Sequence, residues 1–200
     1  MKIIAITTPK IVAEDFLLIK KLVKSGIYSI HLRKPESEID ECRKLLNELS
    51  TEEFSKIVIH NYPELCNEFS LKGIHINKNV LNPPLGYGGF KTRSCHSLEE
   101  LKQFKDNYDY LFLSRIFDGI YNPELKSQFS TEQLQKASAD GIIDEKVIAL
   151  GGVTFDKLPY LKELNFGGAA MIDDLYNPKG LQNLIDYNSF RRGFNYNLIR

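Results

Sequence analysis

The feature that most constrains the fold of this chain is a regular alternation of short apolar runs with amphipathic helical patterns along its length. Short apolar or strictly alternating runs are typical of strands, and apolar residues that recur every three or four positions are typical of helices. The strand candidates are residues 2–8, 28–34, 56–61, 73–77, 91–96, 110–116, 146–152 and 167–173. Eight strand–helix units favour the α/β class and a closed (β/α)8 TIM barrel. An open doubly wound sheet is the alternative, but the first turn lacks the glycine fingerprint of a dinucleotide site.

Capping patterns and glycines delimit the helical segments. A serine followed three residues later by an acidic residue or a glutamine is typical of a helix start, and this pattern occurs at Ser37, Ser97 and Ser130. Further helices are predicted over residues 14–24, 154–164 and 179–187. Residues 78–90, between the fourth and fifth strands, are rich in proline and glycine and leave no room for a full helix. We therefore expect a compact barrel with a shortened connection at this point.

The length and charge of the chain limit its domain organisation and the classes of partner that it can bind. Its 200 residues suit a single barrel domain over 1–200, with the tail from about residue 189 outside the barrel. The formal net charge is +0, so the whole molecule has no field that attracts nucleic acid or an anionic membrane. Three cysteines without a paired spacing indicate reduced thiols. We expect a cytoplasmic protein that binds a small molecule and neither nucleic acid nor membrane.

Polar side chains gather at the carboxyl ends of the predicted strands, where barrels place their active sites. All four histidines fall in the second halves of strands two to five, a grouping that chance would not produce. His31 and Arg33 share one face of the second strand, so we expect both to point to the barrel axis near its mouth. A lone histidine in a strand is more often structural than catalytic, and the face that His75 occupies stays open. The candidate site residues from the strand ends are His31, Arg33, Asn61, Ser94, His96 and Ser114.

Two glycine pairs near the end of the chain point to a phosphate site. Barrels often bind phosphate on the loops after strands seven and eight, because bare backbone amides approach an anion closely there. One pair ends the seventh strand and the other opens the eighth, which makes Gly151, Gly152, Gly168 and Ala169 the candidate phosphate-binding residues. A glycine pair also makes an ordinary tight turn, and the aspartates at 173–174 would repel a phosphate unless they point away.

A metal site is not predicted. Histidines and acids on barrel strands can hold zinc or other divalent ions. The chain has no H-x-H spacing, however, and no acidic residue lies at the ends of strands two to six before Asp118. We therefore expect no metal ligands and no cofactor.

Seven short motifs, taken in order, resemble the superfamily of thiamine phosphate synthases and TenI-type proteins, which are phosphate-binding (β/α)8 barrels. The motifs are IHLRK, IVIHN, GIHIN, SCHSLEE, SRIF, IALGGV and GGAAMI. The resemblance covers about residues 1 to 185 and implies a role in thiamine biosynthesis with a thiazole phosphate as ligand. Dimers are common in this superfamily, so a homodimer is one expectation.

The two branches of the superfamily differ at positions that can be compared in this chain. The synthase branch carries Q-x-R-E-K on strand two and two aspartates that bind magnesium. Here His31 replaces the glutamine and Pro35 the final lysine, while Asn61 and Val80 stand in place of the aspartates. Because a pyrophosphate leaving group needs magnesium or cationic clamps, these replacements disfavour synthase chemistry. The motifs I-H-x-R and S-x-H-S-L-E-E are closer to the TenI-type branch.

The TenI-type branch implies thiazole tautomerase activity, in which a carboxythiazole phosphate is isomerised by proton transfer at the position of His96. In this interpretation His96 and His31 are catalytic, and Arg33 binds the substrate carboxylate through its planar fork. Asn61, Ser94 and Ser114 would bind the substrate. Two alternatives stay open. One is a thiamine phosphate synthase, a transferase that uses magnesium to join a pyrimidine pyrophosphate to the thiazole phosphate. The other is a non-catalytic regulatory barrel that binds a thiazole or thiamine phosphate.

Overall fold

Eight parallel strands close into a barrel, which confirms the predicted (β/α)8 TIM barrel. The structure is a computed structural model that describes residues 1–77, 80–120, 122 and 124–191, without the side chains at positions 173 and 191. The strands are β1 (Lys2–Ile6), β2 (Ser29–Leu32), β3 (Ile57–Ile59), β4 (Gly73–Ile76), β5 (Phe90–Cys95), β6 (Tyr110–Ser114), β7 (Val147–Leu150) and β8 (Gly168–Met171). Each pairs with its neighbours in chain order, and β8 pairs with β1 to close the ring.

Helices follow most of the strands. They are α1 (Asp15–Lys24), α2 (Ile39–Asn47), α3 (Thr51–Phe54), α4 (Glu64–Glu68), α5 (Leu98–Phe104), α6 (Thr131–Ala139), α7 (Leu158–Glu163) and α8 (Pro178–Arg191). The described residues between β4 and β5 contain no helix, which confirms the shortened connection. The helix predicted over 154–164 is divided into a 3₁₀ turn over 155–157 and α7.

Two of the three predicted serine caps are present. Ser97 and Ser130 cap α5 and α6, and each side chain accepts the backbone amide three residues on. The prediction for Ser37 is wrong, because Glu38 is the cap of α2. The Ser37 hydroxyl instead accepts the backbone amide of Ile11 at 2.9 Å and so ties the β1–α1 loop to the β2–α2 loop.

The alternation of side chains along each strand produces two buried layers. Outward residues such as Ile57 and Ile59 join the core shared with the helices. Inward apolar residues fill the barrel itself: Ile4, Ile6, Tyr110, Phe112, Ile148 and Ala170. Four inward residues of β2, β4 and β5 are polar yet fully buried: Ser29, His31, His75 and Thr92. The open question about His75 is thereby answered, since its ring contacts the inward-facing ring of His31.

The carboxyl-terminal part of the chain departs from the prediction at two points. One is α8, which reaches Arg191, whereas the predicted helix ended at residue 187 and the predicted tail began at about residue 189. The other is the eighth strand, which ends at Met171 and is followed by a 3₁₀ turn over 173–176. Residues 192–200 of the predicted tail lie outside the described residues, so the single-domain organisation over 1–200 stays a prediction. In the part of the chain that the structure describes, no helix combines the length and apolarity needed to cross a membrane.

Candidate active site

The carboxyl-terminal mouth of the barrel holds a cavity of about 580 Å³, a size that suits a small-molecule ligand. Four of the predicted site residues line it: Arg33, Asn61, Ser94 and His96. They lie at the ends of β2, β3 and β5, which closure of the barrel brings together. His31 does not line this cavity, because its ring is fully buried inside the barrel.

Two cationic residues follow β2, and they differ in their exposure to solvent. Arg33 is exposed and lines the cavity, and its backbone amide donates to the Thr7 hydroxyl at 2.9 Å. Lys34 is buried, and its ammonium donates to a carboxylate oxygen of Asp15 at 2.6 Å and to the carbonyl of Lys10 at 2.9 Å. Burial lowers the pKa of Lys34, and the bond to Asp15 opposes that effect. Of the two, only Arg33 is available to an anionic ligand.

His96 occupies the turn between β5 and α5 and is exposed to the cavity. Its backbone amide donates to the Glu100 carboxylate at 2.6 Å, and its ring nitrogen Nδ1 lies 3.3 Å from the carbonyl oxygen of Ser114. Because a carbonyl oxygen only accepts, Nδ1 donates this hydrogen bond, and Nε2 is the ring nitrogen that can exchange a proton with a ligand. A basic nitrogen in a cavity wall is the arrangement that general acid–base catalysis requires.

Beside this site a hydrogen-bonded chain runs through the barrel interior. The Ser29 hydroxyl lies 3.0 Å from the phenol oxygen of Tyr110, which forms a short hydrogen bond with Nε2 of His31. Nδ1 of His31 lies 2.7 Å from Nε2 of His60. His60 lines the cavity, so the chain connects the barrel interior to the ligand space.

His75 completes a cluster of three buried histidines. Its Nδ1 lies 2.8 Å from the Thr92 hydroxyl and its Nε2 lies 2.9 Å from the Ser94 hydroxyl. One ring nitrogen from each of His31, His60 and His75 lies within 4.8 Å of the others, a spacing at which histidines can hold a metal ion. The rings of His60 and His75, however, stack at 4.0 Å with 16° between their planes. A metal ion lies near the plane of each imidazole that binds it, so these stacked rings do not fit a shared ion.

Burial keeps the three clustered histidines neutral. It lowers the pKa of His75 to about 3, and the positive charges of Arg93 and Arg33 add to the effect. Burial also holds the pKa of His31 and of His60 well below the usual value, with repulsion from His75 as the next cause in each. The cluster therefore contributes hydrogen-bonding groups and no charge at neutral pH.

A second cavity of about 330 Å³ adjoins the first, and Leu150 and Ile172 line both. Its lining includes the predicted residues Ser114, Gly151 and Gly152, together with Arg115 and Asp174. The φ angles of the two glycines are +95° and +62°, a region that favours glycine. An anion in this cavity would be attracted by Arg115 and repelled by Asp174. The side chain of Asp173, the other predicted obstacle, lies outside the described part of the structure.

Gly152 is expected to be intolerant of a side chain. An added Cβ would lie 2.1 Å from the carbonyl oxygen of Asp118, in addition to the strain of a φ of +62°. We expect Gly152→Ala to lower the free energy of unfolding by about 2 kcal/mol or more, measured by urea denaturation. Gly141→Ala is the matched control, because Gly141 has a φ of +69° and no atom within 4 Å of an added Cβ. Equal losses in the two variants would contradict a steric role for Gly152.

The prediction that Gly168 and Ala169 bind phosphate does not agree with their positions. Gly168 is the first residue of β8 and pairs with Lys2, the first residue of β1, so it lies at the amino-terminal end of the barrel. Ala169 is the next residue and is fully buried. An added Cβ on Gly168 would meet the side chain of Ile148 at 2.7 Å, which indicates that this glycine permits close packing. The structure does not bring these two residues to Gly151 and Gly152.

Two residues with charged side chains that line the cavity, Arg93 and Glu100, were missed by the sequence reasoning. Alternation along β5 places Arg93 opposite Ser94, on the helix-facing side, and its guanidinium packs over the Phe104 ring at 4.0 Å. Arg93 still lines the cavity, next to the β4–β5 connection that has no described helix. Glu100 had a signal in the capping pattern, but its carboxylate bonds the amide of His96 rather than that of the cap.

Fold and site together define the class of the protein, a (β/α)8 barrel with a histidine and arginines around a small-molecule cavity at its mouth. The model of one protein family, TMP-TENI, described as thiamine monophosphate synthase, matches residues 3–175. The chain belongs to this family, the thiamine phosphate synthase and TenI superfamily, whose role is in thiamine biosynthesis.

Relatives in this family bear the synthase name. A solved structure described as thiamine phosphate pyrophosphorylase from Bacteroides thetaiotaomicron superimposes with a TM-score of 0.85 at 34% identity, over 98% of this chain and 100% of that one. The thiamine-phosphate synthase of Syntrophomonas wolfei is 26% identical over 82% of each chain. That of Lactococcus lactis is 22% identical over 88% of this chain and 87% of the relative.

The magnesium site that the synthase branch implies does not fit the residues present. Among the described residues that line the larger cavity, the one carboxylate is that of Glu100, which bonds the backbone of His96. Asn61 and Val80 stand at the positions where the resemblance to the synthase branch implies two aspartates, and the side-chain oxygen Oδ1 of Asn61 accepts the backbone amide of Lys34 at 3.3 Å. The valine side chain offers no ligand atom, so the described residues that line this cavity do not supply the paired carboxylates that hold magnesium beside a pyrophosphate.

Proposed function

We propose that the protein is an isomerase of thiamine biosynthesis that converts a carboxythiazole phosphate to its aromatic tautomer by metal-free proton transfer. The observation that carries this proposal is the state of His96. Its Nδ1 is directed to the Ser114 carbonyl, and its basic Nε2 belongs to an exposed ring in the cavity wall. A ring in this state can take a proton from one atom of a bound substrate and return it to another.

The charges around the two cavities support a substrate with two anionic groups. Arg33 and Arg93 line the larger cavity, and Arg115 lines the smaller one beside Gly151 and Gly152. We assign the carboxylate to Arg33, whose guanidinium can bind both of its oxygens, and the phosphate to the smaller cavity. Because the cavities share a wall, one molecule can place its ring beside His96 and its phosphate beside the glycines.

No step of this proposal requires a cofactor. A cytoplasmic location and a homodimer are part of it as expectations from the sequence, as is the lack of a nucleic acid or membrane partner. The charge balance of the chain supports the last point, since the formal net charge is +0.

Arg33 is expected to determine affinity more than turnover. Arg33→Lys keeps the positive charge but loses the planar pair of donors, so we expect KM for the carboxythiazole phosphate to rise about tenfold. We expect kcat to change by less than about threefold. Arg43→Lys is the control, because Arg43 forms its ion pairs with Asp40 and Glu68 on α2 and α4. An unchanged KM in Arg33→Lys would remove Arg33 from the substrate site.

Two parallel incubations of one protein preparation test the proposed function. The first contains a chelator and the unrearranged carboxythiazole phosphate, and the second contains magnesium, the pyrimidine pyrophosphate and the thiazole phosphate. We expect the aromatic tautomer to form faster than in buffer in the first, and no condensation product in the second. Product in the second alone would assign the transferase, and product in neither would leave a barrel that binds without turnover.

Thiamine-phosphate synthase activity is the second candidate. The names of the relatives favour it over isomerisation, since both curated relatives described above are called thiamine-phosphate synthase. The residues of the cavity disfavour synthase activity. Asn61 and Val80 stand where the synthase branch implies aspartates, and the Lys34 ammonium is buried against Asp15. Magnesium-dependent condensation in the second incubation would support this candidate despite those replacements.

A further inference from the structure

The floor of the larger cavity presents one ring nitrogen whose protonation is not explained by the proposed function. This atom is Nδ1 of His60, a residue with 6% of its surface exposed that lines the cavity. Its other nitrogen, Nε2, is bonded to His31. Within the described residues Nδ1 forms no hydrogen bond. Two described side-chain atoms are fully buried and have no hydrogen-bond partner, Oδ1 of Asp15 and Nε of Arg93, and Nδ1 of His60 is not one of them. Nδ1 is therefore accessible to a ligand.

The protonation of this nitrogen depends on the hydrogen-bonded chain that begins at Tyr110. The phenol has one proton and two neighbours, the Ser29 hydroxyl and Nε2 of His31. A phenol is a stronger acid than an alcohol, and an imidazole nitrogen is a stronger acceptor than a hydroxyl oxygen. The phenol therefore donates its hydrogen bond to Nε2 of His31, and the Ser29 hydroxyl donates a hydrogen bond to the phenol oxygen.

The rest of the chain follows from counting protons. If Nε2 of His31 accepts from Tyr110, the single proton of the neutral His31 ring is on Nδ1. That proton is donated to Nε2 of His60, so the single proton of the neutral His60 ring is on Nδ1. We infer that His60 is a ligand-binding residue that presents a neutral N–H donor to the cavity, and that Tyr110 is the positioning residue that fixes this tautomer through His31.

This arrangement suits a ligand with a hydrogen-bond acceptor at the barrel axis, such as a ring nitrogen or a carboxylate oxygen. Burial and the nearby Arg33 disfavour a charged His60 ring, so the donor stays neutral. A neutral donor distinguishes acceptor atoms from donor atoms without adding another positive charge to a cavity that already holds Arg33 and Arg93. The inference does not depend on whether the protein is an isomerase or a transferase.

Nitrogen-15 NMR of the histidine rings tests the inference in the wild-type protein without any ligand. Long-range proton–nitrogen correlation spectra at pH 7.5 report which nitrogen of each ring carries the proton. We expect protonated Nδ1 in both His31 and His60. A proton on Nε2 of His60, or a charged His60 ring, would overturn the inference.

Two variants test the positioning role of Tyr110. Tyr110→Phe keeps the ring but removes the donor, so we expect His31 and His60 to lose their single tautomer. Ser29→Ala is the matched control, because it removes the far end of the chain and leaves the phenol bonded to His31; its spectrum should show the wild-type tautomers. Unchanged tautomers in Tyr110→Phe, with native folding confirmed by the backbone spectrum, would contradict a positioning role.

A small probe tests whether His60 binds ligands. Thiazole-2-carboxylate carries both kinds of acceptor, and its addition to the wild type should shift the His60 Nδ1–H signal. We expect its Kd to rise about tenfold in Tyr110→Phe and to stay within about twofold in Ser29→Ala. Binding that leaves the His60 signal unmoved would show that His60 does not contact the ligand. This outcome would not affect the turnover assays, which test the proposed function independently.

Discussion

Replacing His96 with asparagine is expected to lower the turnover of carboxythiazole phosphate by at least about 100-fold. Asparagine can keep a hydrogen bond to the Ser114 carbonyl, but it has no basic nitrogen to move a proton. Substrate affinity should stay within about threefold, because the arginines and the glycine pair do not depend on this ring. Initial rates by proton NMR and binding by calorimetry measure the two quantities on one preparation.

The stability of the His96→Asn variant provides the control for this result. The His96 side chain is exposed and forms one side-chain hydrogen bond of 3.3 Å, so urea denaturation should give a free energy of unfolding close to that of the wild type. If the variant is as stable as the wild type, a loss of turnover shows that proton transfer, and not folding, has been impaired. A variant that turns over at the wild-type rate would show that His96 is not the acid–base group.

Mild acid is expected to destabilise the protein strongly. The pKa values of His31, His60 and His75 are depressed in the folded state, whereas in the unfolded chain each pKa returns to about 6.5. The unfolded chain therefore binds more protons below pH 6.5, and the stability that is present above that pH is lost as the pH falls. From pH 7.5 to pH 5.5 each histidine contributes about 1.4 kcal/mol, or about 4 kcal/mol for the three. Urea denaturation at the two pH values measures this loss.

A variant with one fewer buried histidine separates this effect from other titrations. His75→Gln replaces the ring by an amide that can still reach the hydroxyls of Thr92 and Ser94. We expect its loss of stability between pH 7.5 and pH 5.5 to be about one third smaller than in the wild type. The same pH dependence in both proteins, or none in the wild type, would show that the histidines are not buried in neutral form.

The fold could be predicted from the sequence because strand and helix periods alternate clearly, and eight such units leave few architectures. Short elements were less accessible. Neither α3 (Thr51–Phe54) nor α4 (Glu64–Glu68) was predicted from the sequence, since helices of this length are determined by tertiary packing rather than by periodicity. The cap of α2 was misassigned because the bond of Ser37 to Ile11 comes from a loop that lies close only in the folded barrel.

The site could be predicted in part, for reasons that differ between residues. Arg33 and His96 lie where polar residues at strand ends are expected, and the structure brings them to one cavity. Gly168 and Ala169 were misplaced because a glycine pair that opens the eighth strand was taken for a phosphate-binding loop, which in a barrel follows the strand; the pairing of Gly168 with Lys2 places it at the amino-terminal end. Strand parity correctly placed His31 toward the axis, but only the barrel packing shows that its ring is enclosed between His60 and Tyr110.

The family assignment and the chemistry of the cavity point to different reactions within one pathway. Sequence similarity to the family extends over most of the barrel, from residue 3 to residue 175. The replaced acids and the state of His96 concern only a few residues at the mouth. The residues at the mouth therefore favour isomerisation, and the names of the relatives favour thiamine-phosphate synthase activity.

The measurement that tests the central claim most directly is the proton NMR time course of the unrearranged carboxythiazole phosphate with purified protein and a chelator. We expect the aromatic tautomer to appear at least about tenfold faster than in protein-free buffer, and added magnesium to leave the rate unchanged. A time course that is identical with and without the protein would contradict the claim that this barrel is a metal-free isomerase.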